Sequence, residues 1–210
     1  MDLRKKKALF IPIIIVIFCL AGCATTTQLV RSWQEPDFTD KPLNKILVLG
    51  AFENAENRRM YEDGVVKALK KKNHPAIASY TLEPDMSKLA GKEEIKALVK
   101  KTDADAVMIA ILGSVDKEKT YVPPNMAYVP MMGYGRGMYD YYLGSQQAVL
   151  NQGYIMTDTR VKLEITVFSV KTEKMIWAGA TESLNPASKE RLVDEAAAVI
   201  MDDMKKEGFL

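Results

Sequence analysis

Apolar positions in this chain fall into short continuous runs, helically spaced faces and one strict alternation, and each texture predicts an element. Lys45-Ile46-Leu47-Val48-Leu49-Gly50 is a short apolar run closed by glycine, as expected of a strand buried on both faces. From Asn54 to Lys72, Tyr61, Val65, Ala68 and Leu69 recur at helical spacing, and Lys70-Lys71-Lys72 put positive charge where the helix dipole favours it. Arg59 and Glu62, three apart on that helix, are expected to pair across one turn on its solvated side. Asn73-His74-Pro75 ends the helix, because proline disfavours α geometry in the residue before it and asparagine tolerates a left-handed cap. Ala76 to Tyr80 reads as a second strand. Lys92 to Lys101 reads as a second helix, with Glu93 and Glu94 in its first turn and Ile95, Leu98 and Val99 on its apolar face. Ala106 to Leu112 is again a continuous apolar run. The order β-α-β-α-β implies parallel pairing with right-handed crossovers.

After Gly113 the texture changes. Residues 113–153 read as a Tyr/Met/Gly-rich loop or irregular hairpin. Its densest part, 121–142, holds six tyrosines, four methionines, three prolines and three glycines without a helical or strand period. A structureless segment of that length inside a domain is usually functional or disordered. From Thr157 to Val170 the chain alternates: Thr157, Thr159, Val161, Leu163, Ile165 and Val167 on one side, Asp158, Arg160, Lys162 and Glu164 on the other. That is a half-solvated antiparallel strand. Lys171 to Lys174 makes the turn, and Met175 to Ala180 returns as the last strand. Asn185-Pro186 is expected to open the final helix as cap and first residue, with Leu192, Ala196, Ile200 and Met204 inward and Gly208 as its left-handed stop. The fold class is therefore α/β, a β-α-β-α-β unit followed by a long loop, an antiparallel β-hairpin and a C-terminal helix, forming one mixed sheet packed with helices.

The amino-terminal 43 residues have a different character. Ala24 to Pro42 is polar and shows no sustained period, so it reads as a tether that ends by docking Trp33 and Phe38, on its own domain or on a partner. Ahead of it, Arg4-Lys5-Lys6-Lys7 precede an apolar run and the small residues Leu20-Ala21-Gly22 before Cys23. This is the order of a secretory leader. The run from Ala8 to Gly22 falls short of the roughly 20 residues a spanning helix needs, and Pro12 weakens it further. Leu20-Ala21-Gly22-Cys23 resembles the lipobox of bacterial lipoprotein precursors, in which the cysteine thiol receives a diacylglyceryl group and becomes the new amino terminus. The resemblance implies lipidation at Cys23 and a lipid membrane as partner. Ala24 stands where an aspartate would, in enteric bacteria, mark inner-membrane retention, so the resemblance implies the periplasmic face of the outer membrane. The chain then divides into a leader (1–22), a lipidated terminus and tether (23–43), and a single α/β domain (44–210).

Charge and composition narrow the chemistry. The leader carries four basic residues and one acid, so its removal leaves 25 basic and 26 acidic residues from 29 and 27, a net charge of −1. The basicity of the whole chain belongs to its leader, and no nucleic-acid partner is expected. Cys19 would leave with the leader, so Cys23 is the mature chain's thiol and an internal disulfide is excluded. His74 is the one histidine, placed in a turn, which leaves little to build a catalytic triad or a histidine metal cluster. No cofactor is expected.

The element order, together with Trp33-x-x-Pro36, the strand ending at Gly50, Asp105-Ala106-Val107 and Ile176-Trp177-Ala178, resembles envelope lipoproteins related to the curli-secretion protein CsgG and the amino-terminal domain of TolB. That resemblance implies a non-enzymatic binding or assembly part and carries over no catalytic residue. Within this reading Tyr128, Tyr134, Tyr139, Tyr141 and Tyr142 are the candidate partner-binding residues, since tyrosine offers amphipathic contact area at low entropy cost and methionine adapts to irregular surfaces. The partner would be an envelope protein, another copy of the chain, or glycan. The alternative is that the loop folds over the sheet as a lid. Two other functions stay open. Met126, Met131, Met132 and Met138 are soft thioethers suited to periplasmic Cu(I) handling. Glu53, Glu56, Asp103 and Asp105 lie near strand ends, where a carboxylate-dependent glycan-processing enzyme would need two acids across a cleft, although Asp103 and Asp105 read first as loop-shaping residues.

Overall fold

In a computed structural model of the chain, which describes residues 25–123, 137–139, 142 and 153–210, the continuous apolar runs become the middle of one sheet. The elements run β1 (Thr27–Gln34), β2 (Ile46–Ala51), α1 (Ala55–Lys71), β3 (Ala76–Ala78), α2 (Lys92–Lys100), β4 (Ala106–Val122), β5 (Tyr154–Ser169), β6 (Met175–Leu184) and α3 (Lys189–Lys206). The six strands lie in the order β1-β6-β5-β4-β2-β3. β2 pairs in parallel with β3 and β4, while β4, β5, β6 and β1 pair antiparallel in turn. The protein is thus an α/β fold with one mixed sheet.

Alternation along the strands divides the side chains between two unequal layers. Ile46, Val48, Met108, Ile165 and Val167 point to one face, where α1 and α3 cover them with Tyr61, Val65, Leu69, Ile200 and Met201. Burying each such aliphatic side chain is worth about 1.5–3 kcal/mol, and this layer holds most of them. On the other face α2 buries Leu98 against Leu47, Ala104 and Val107, with Val99, Ile109 and Val170 partly covered. Among the described residues no helix packs on that side of β1, β6 and the adjoining half of β5.

Several ends fall where the sequence puts them. Asn54 caps α1, its side-chain oxygen accepting from the Asn57 N–H at 3.0 Å. Asn73 (φ 64°) and Gly208 (φ 80°) take the left-handed conformation just past α1 and α3. Other boundaries differ. Residues assigned to the tether form the edge strand β1, whose pairing with β6 shifts register between Leu29 and Arg31. That bulge leaves Val30 out of step and breaks the two-residue period. β4 likewise does not stop at Gly113. A register shift between Leu112 and Ser114 takes up the glycine, and the strand runs on to Val122 against β5, which begins at Tyr154. β3 ends at Ala78 in a 3-10 turn over Ser79–Thr81.

The final helix starts later than Asn185-Pro186. Ser188 is its cap, accepting from the Arg191 N–H at 3.1 Å. Asn185 (φ 48°) instead closes the end of β6: its N–H donates to the Thr159 carbonyl at 2.8 Å, and its side-chain oxygen accepts from the Thr159 N–H at 2.7 Å. The inward face is broader than expected and leaves out Leu192. Val193, Ala197 and Met201 join Ala196, Ile200 and Met204 in the core, and Leu192 sits half-buried at its margin.

Candidate functional site

Of the four candidate carboxylates, Glu53 and Glu56 are exposed, just after β2 and in the first turn of α1, and do not face Asp103 or Asp105 across a described cleft, while Asp105 holds the fold together. Asp105 accepts from the Asn44 N–H at 2.7 Å, the Asn44 side-chain amide at 2.9 Å and the Lys45 N–H at 3.0 Å, so it ties the entry of β2 to the entry of β4. Asp103 sits in the preceding turn at φ 51°. Glu62 is not a surface residue paired with Arg59. It is fully buried and pairs with Arg58 at 2.9 Å. Its Oε1 also accepts from the Gly50 N–H at 2.9 Å and the Ser79 hydroxyl at 2.7 Å, and its Oε2 from the Tyr80 N–H at 2.8 Å. Arg58 donates onward to Ser79 Oγ and to the carbonyls of Glu83 and Pro84. This buried carboxylate, with donors on both oxygens, holds β2, α1 and the 79–84 segment together, and its full burial shuts it off from a substrate.

The uncovered sheet face is a different kind of surface. Cross-strand pairing sets Trp33, Ala178, Thr166 and Ile109 in one row across β1, β6, β5 and β4, and Arg31, Ala180, Glu164 and Ile111 in the next. Trp33 is 42% exposed. A shallow hollow of about 100 Å³ lies beside its ring over Ala178, Gly179 and Ala180. At the β4 end the row runs into an apolar groove of about 500 Å³ between α2 and the sheet, floored by Val107, Ile109 and Phe168 and walled by Ile95 and Val99. Glu173 bridges Lys96 at 3.1 Å and Lys92 at 3.6 Å at the groove's rim, and Lys96 together with Lys92 holds its carboxyl below the usual range. Solvated sheet faces are ordinarily polar, whereas these rows bring an indole, two alanines and two isoleucines together.

A third feature is the end of the sheet where β4 rises and β1 descends. β2 pairs with β4 only as far as Ala51–Ile111, and β6 leaves β5 at Leu184–Arg160. Beyond that, Lys117–Val122 and Tyr154–Thr159 continue as a two-stranded ribbon of six residue pairs. Its last pairs carry Tyr121 (62% exposed), Ile155 (65%), Tyr154 (61%) and Met156 (42%). At the same end Glu195 fastens the start of β1 to α3. Its Oε2 accepts from the Thr26 N–H at 2.9 Å, the Thr26 hydroxyl at 3.0 Å and the Thr27 hydroxyl at 3.1 Å, and its Oε1 from the Arg191 guanidinium at 2.6 Å. Burial pushes this carboxyl up, and the donors from Arg191, Thr26 and Thr27 together outweigh it, so the group ionises below the usual range.

No protein-family model matches the sequence, and a search of curated proteins finds no match. Solved structures align over most of the chain at low identity. The PelC dodecamer from Paraburkholderia phytofirmans aligns with a TM-score of 0.45 at 8% identity, covering 88% of this chain and 99% of that one. A variant of the same protein gives 0.46 at 8% identity, over 83% and 95% of the two chains. Lipoprotein GNA1162 from Neisseria meningitidis gives 0.41 at 11% identity, over 78% and 99%. At such identities neither neighbour supplies a residue correspondence.

The residues singled out from sequence are only partly brought into view. Cys23, Tyr128, Tyr134 and Tyr141, with Met126, Met131 and Met132, lie outside the described residues. Tyr139, Tyr142 and Met138 are described, and all three are exposed. His74 is half-buried in its turn, its N–H donating to the Leu69 carbonyl at 3.0 Å. Among the described residues no cluster of histidine, cysteine and carboxylate side chains is arranged to hold a metal ion, and no helix is long and apolar enough to cross a membrane. Phe38 docks on its own domain, stacked on Phe209 at 6.0 Å between centroids, while Trp33 lies on the open face. Sequence reasoning missed the open-face rows and the apolar ribbon pairs. The signal for both was there in the β-branched and aromatic residues of 27–34 and 114–122, and the two bulges hid it.

Proposed function

We propose that this protein is a lipid-anchored component of the bacterial cell envelope that works by binding and assembly, not by catalysis. In this reading the leader is removed before Cys23, the thiol carries the lipid, and the domain stands at the periplasmic face of the outer membrane. The observation that carries the binding role is the open sheet face, on which Trp33, Ala178, Thr166 and Ile109 form a continuous row ending in an apolar groove. Aromatic anchors beside small residues are what a protein–protein contact uses at its centre. The commitment of Asp105 and Glu62 to buried or backbone donors supports a non-catalytic role. The element order, like that of the CsgG and TolB-related group, supports the same kind of role. The partner is an envelope protein or a second copy of the chain.

Two measurements test this. Membrane flotation of the wild type against Cys23→Ser tests the anchor, and the variant is expected to leave the membrane fraction. A photo-reactive residue in place of Trp33, in cells, tests the face. A discrete adduct is expected that disappears when Ala178→Arg is added and is not formed from position 67 on the exposed side of α1. Equal adducts from positions 33 and 67, or an adduct indifferent to Ala178→Arg, would remove the face from the account.

A further inference from the structure

A sheet buries its apolar face against another layer, and on the open side of this sheet that layer is α2 alone among the described residues. α2 sits over β2 and β4, where Leu98 meets Leu47 and Val107. Helices packed side by side lie about 8–10 Å apart and strands about 4.8 Å apart, so a second helix laid beside α2 would run over β5, two strands from β2. Its floor would be Phe168 and Thr166 of β5, Ile109 of β4 and Ala178 of β6. The short side chains of Thr166 and Ala178 keep the middle of that floor low. One wall is Ile95 and Val99 of α2, and the other is the Trp33 ring on β1. This trough is as long as α2, nine residues or about 14 Å. Along the strands it ends where Glu164 and Arg31 take the place of apolar side chains.

We infer that this trough seats an amphipathic helix of a partner protein, with its apolar stripe on the sheet and acidic residues along both flanks. The inference rests on the binding role proposed for the open face and names the shape and charge of what binds there. Charge decides the partner's chemistry. Lys92, Lys96 and Lys100 stand four apart along the rim that α2 gives the groove, and Arg31 stands on β1 at the other side. Glu173 answers Lys92 and Lys96. Lys100 and Arg31 have no carboxylate partner among the described residues. Four cations against the two carboxylates Glu173 and Glu164 leave the trough two positive charges in excess. A helix with Asp or Glu on either side of its apolar stripe answers both rims while that stripe fills the floor. An acyl chain fits the floor but carries charge at one end only, whereas the cations here run along the whole rim. The chain's own segments do not supply such a helix. α1 and α3 turn their apolar stripes into the core, and residues 124–152 hold one acid, Asp140, against Arg136. The occupant therefore comes from another protein.

The test uses the full chain in cells. A diazirine-bearing amino acid replaces Trp33 or Thr166, and after illumination the cross-linked peptides are mapped by mass spectrometry. Adducts from both positions are expected in one segment of one protein, at residues three or four apart. Carbodiimide, which joins an amine directly to a carboxylate, is expected to couple Lys100 to an Asp or Glu of that same segment. Lys100→Glu together with Arg31→Glu, both at exposed positions, should lower the photo-adduct by about tenfold or more. The milder pair Lys100→Gln and Arg31→Gln, which sets no negative charge in the last turn of α2, should give an intermediate loss. Lys67→Glu, exposed on α1 across the sheet, should leave the yield unchanged. Adducts spaced two residues apart, adducts to peptides of this chain, or yields indifferent to both pairs of changes overturn the inference and leave the face a binding surface. Adducts to lipid alone, or none from position 33, remove the face's protein partner and the inference with it.

Discussion

Replacing Glu62 by glutamine leaves the side chain's size unchanged and removes its charge from a fully enclosed polar site. The carboxylate receives four donors, three on Oε1 and one on Oε2. An amide oxygen in the Oε1 position keeps its three donors, but the amide nitrogen then faces the Tyr80 N–H, donor against donor. An orphaned buried N–H costs about 1–3 kcal/mol. The Arg58 guanidinium, 1% exposed, loses its counter-charge, and breaking a buried pair from one side costs about 3–5 kcal/mol. Because Arg58 keeps its bonds to Ser79, Glu83 and Pro84, the two costs overlap, and we expect a loss of about 4 kcal/mol. Against a total stability of about 5–15 kcal/mol this is a large fraction. Urea unfolding followed by the fluorescence of buried Trp177 reads it. Two controls sharpen the result. Arg59→Gln, one residue along the helix and exposed, is expected to cost under ~0.5 kcal/mol. Adding Arg58→Met to Glu62→Gln is expected to cost less than the sum of the single changes by at least ~1 kcal/mol, since the stranded charge is then gone. A Glu62→Gln loss under ~1 kcal/mol, or an Arg59→Gln loss equal to it, would refute the account.

Three further outcomes follow from the packing. Glu195 ionises below its usual 4.5, so its contribution is complete above that value and disappears as pH falls through the folded-state pKa; Glu195→Gln should be less stable at neutral pH by about 1–3 kcal/mol, with the gap closing in acid and amide exchange rising first along β1. The Tyr61 hydroxyl is buried without a hydrogen-bond partner, and burial followed by the charge of Glu62 raises its pKa; Tyr61→Phe should leave the melting temperature unchanged or raise it, and a loss above ~1 kcal/mol would mean the hydroxyl is bonded. A Cβ at Gly179 would strike the Trp177 ring and come within 3.2 Å of Leu29, so Gly179→Ala should cost about 1–3 kcal/mol in thermal unfolding, with β1 loosened.

Where the sequence was legible, one local rule acted alone. Asn54, Asn73 and Gly208 mark helix ends because a cap or a left-handed residue needs only its immediate neighbours. The buried runs at 46–49 and 106–110 announce central strands because both faces are covered. Illegibility had two sources. Bulges at Val30 and Gly113 each insert one residue, and a one-residue slip reverses every later side chain in a period-two pattern, so a real strand reads as irregular chain. Charge was the other. Glu62 and Glu195 look like solvated helix residues until the elements that supply their donors are in place, and those lie far along the chain, Thr27 being 168 positions from Glu195. The open-face row shares that difficulty, since four strands must be in register before Trp33, Ala178, Thr166 and Ile109 become neighbours.

That edge strand also sets a timetable for the molecule's birth. Thr27 pairs with Ser183, 156 positions away, and contacts of such separation form late because the intervening chain must first be drawn together. A chain emerging from its ribosome has nothing to offer its own first strand until the last one has been made. Residues 27–34 therefore stay unpaired through most of synthesis, and the sheet gains its outermost member only once β6 has arrived.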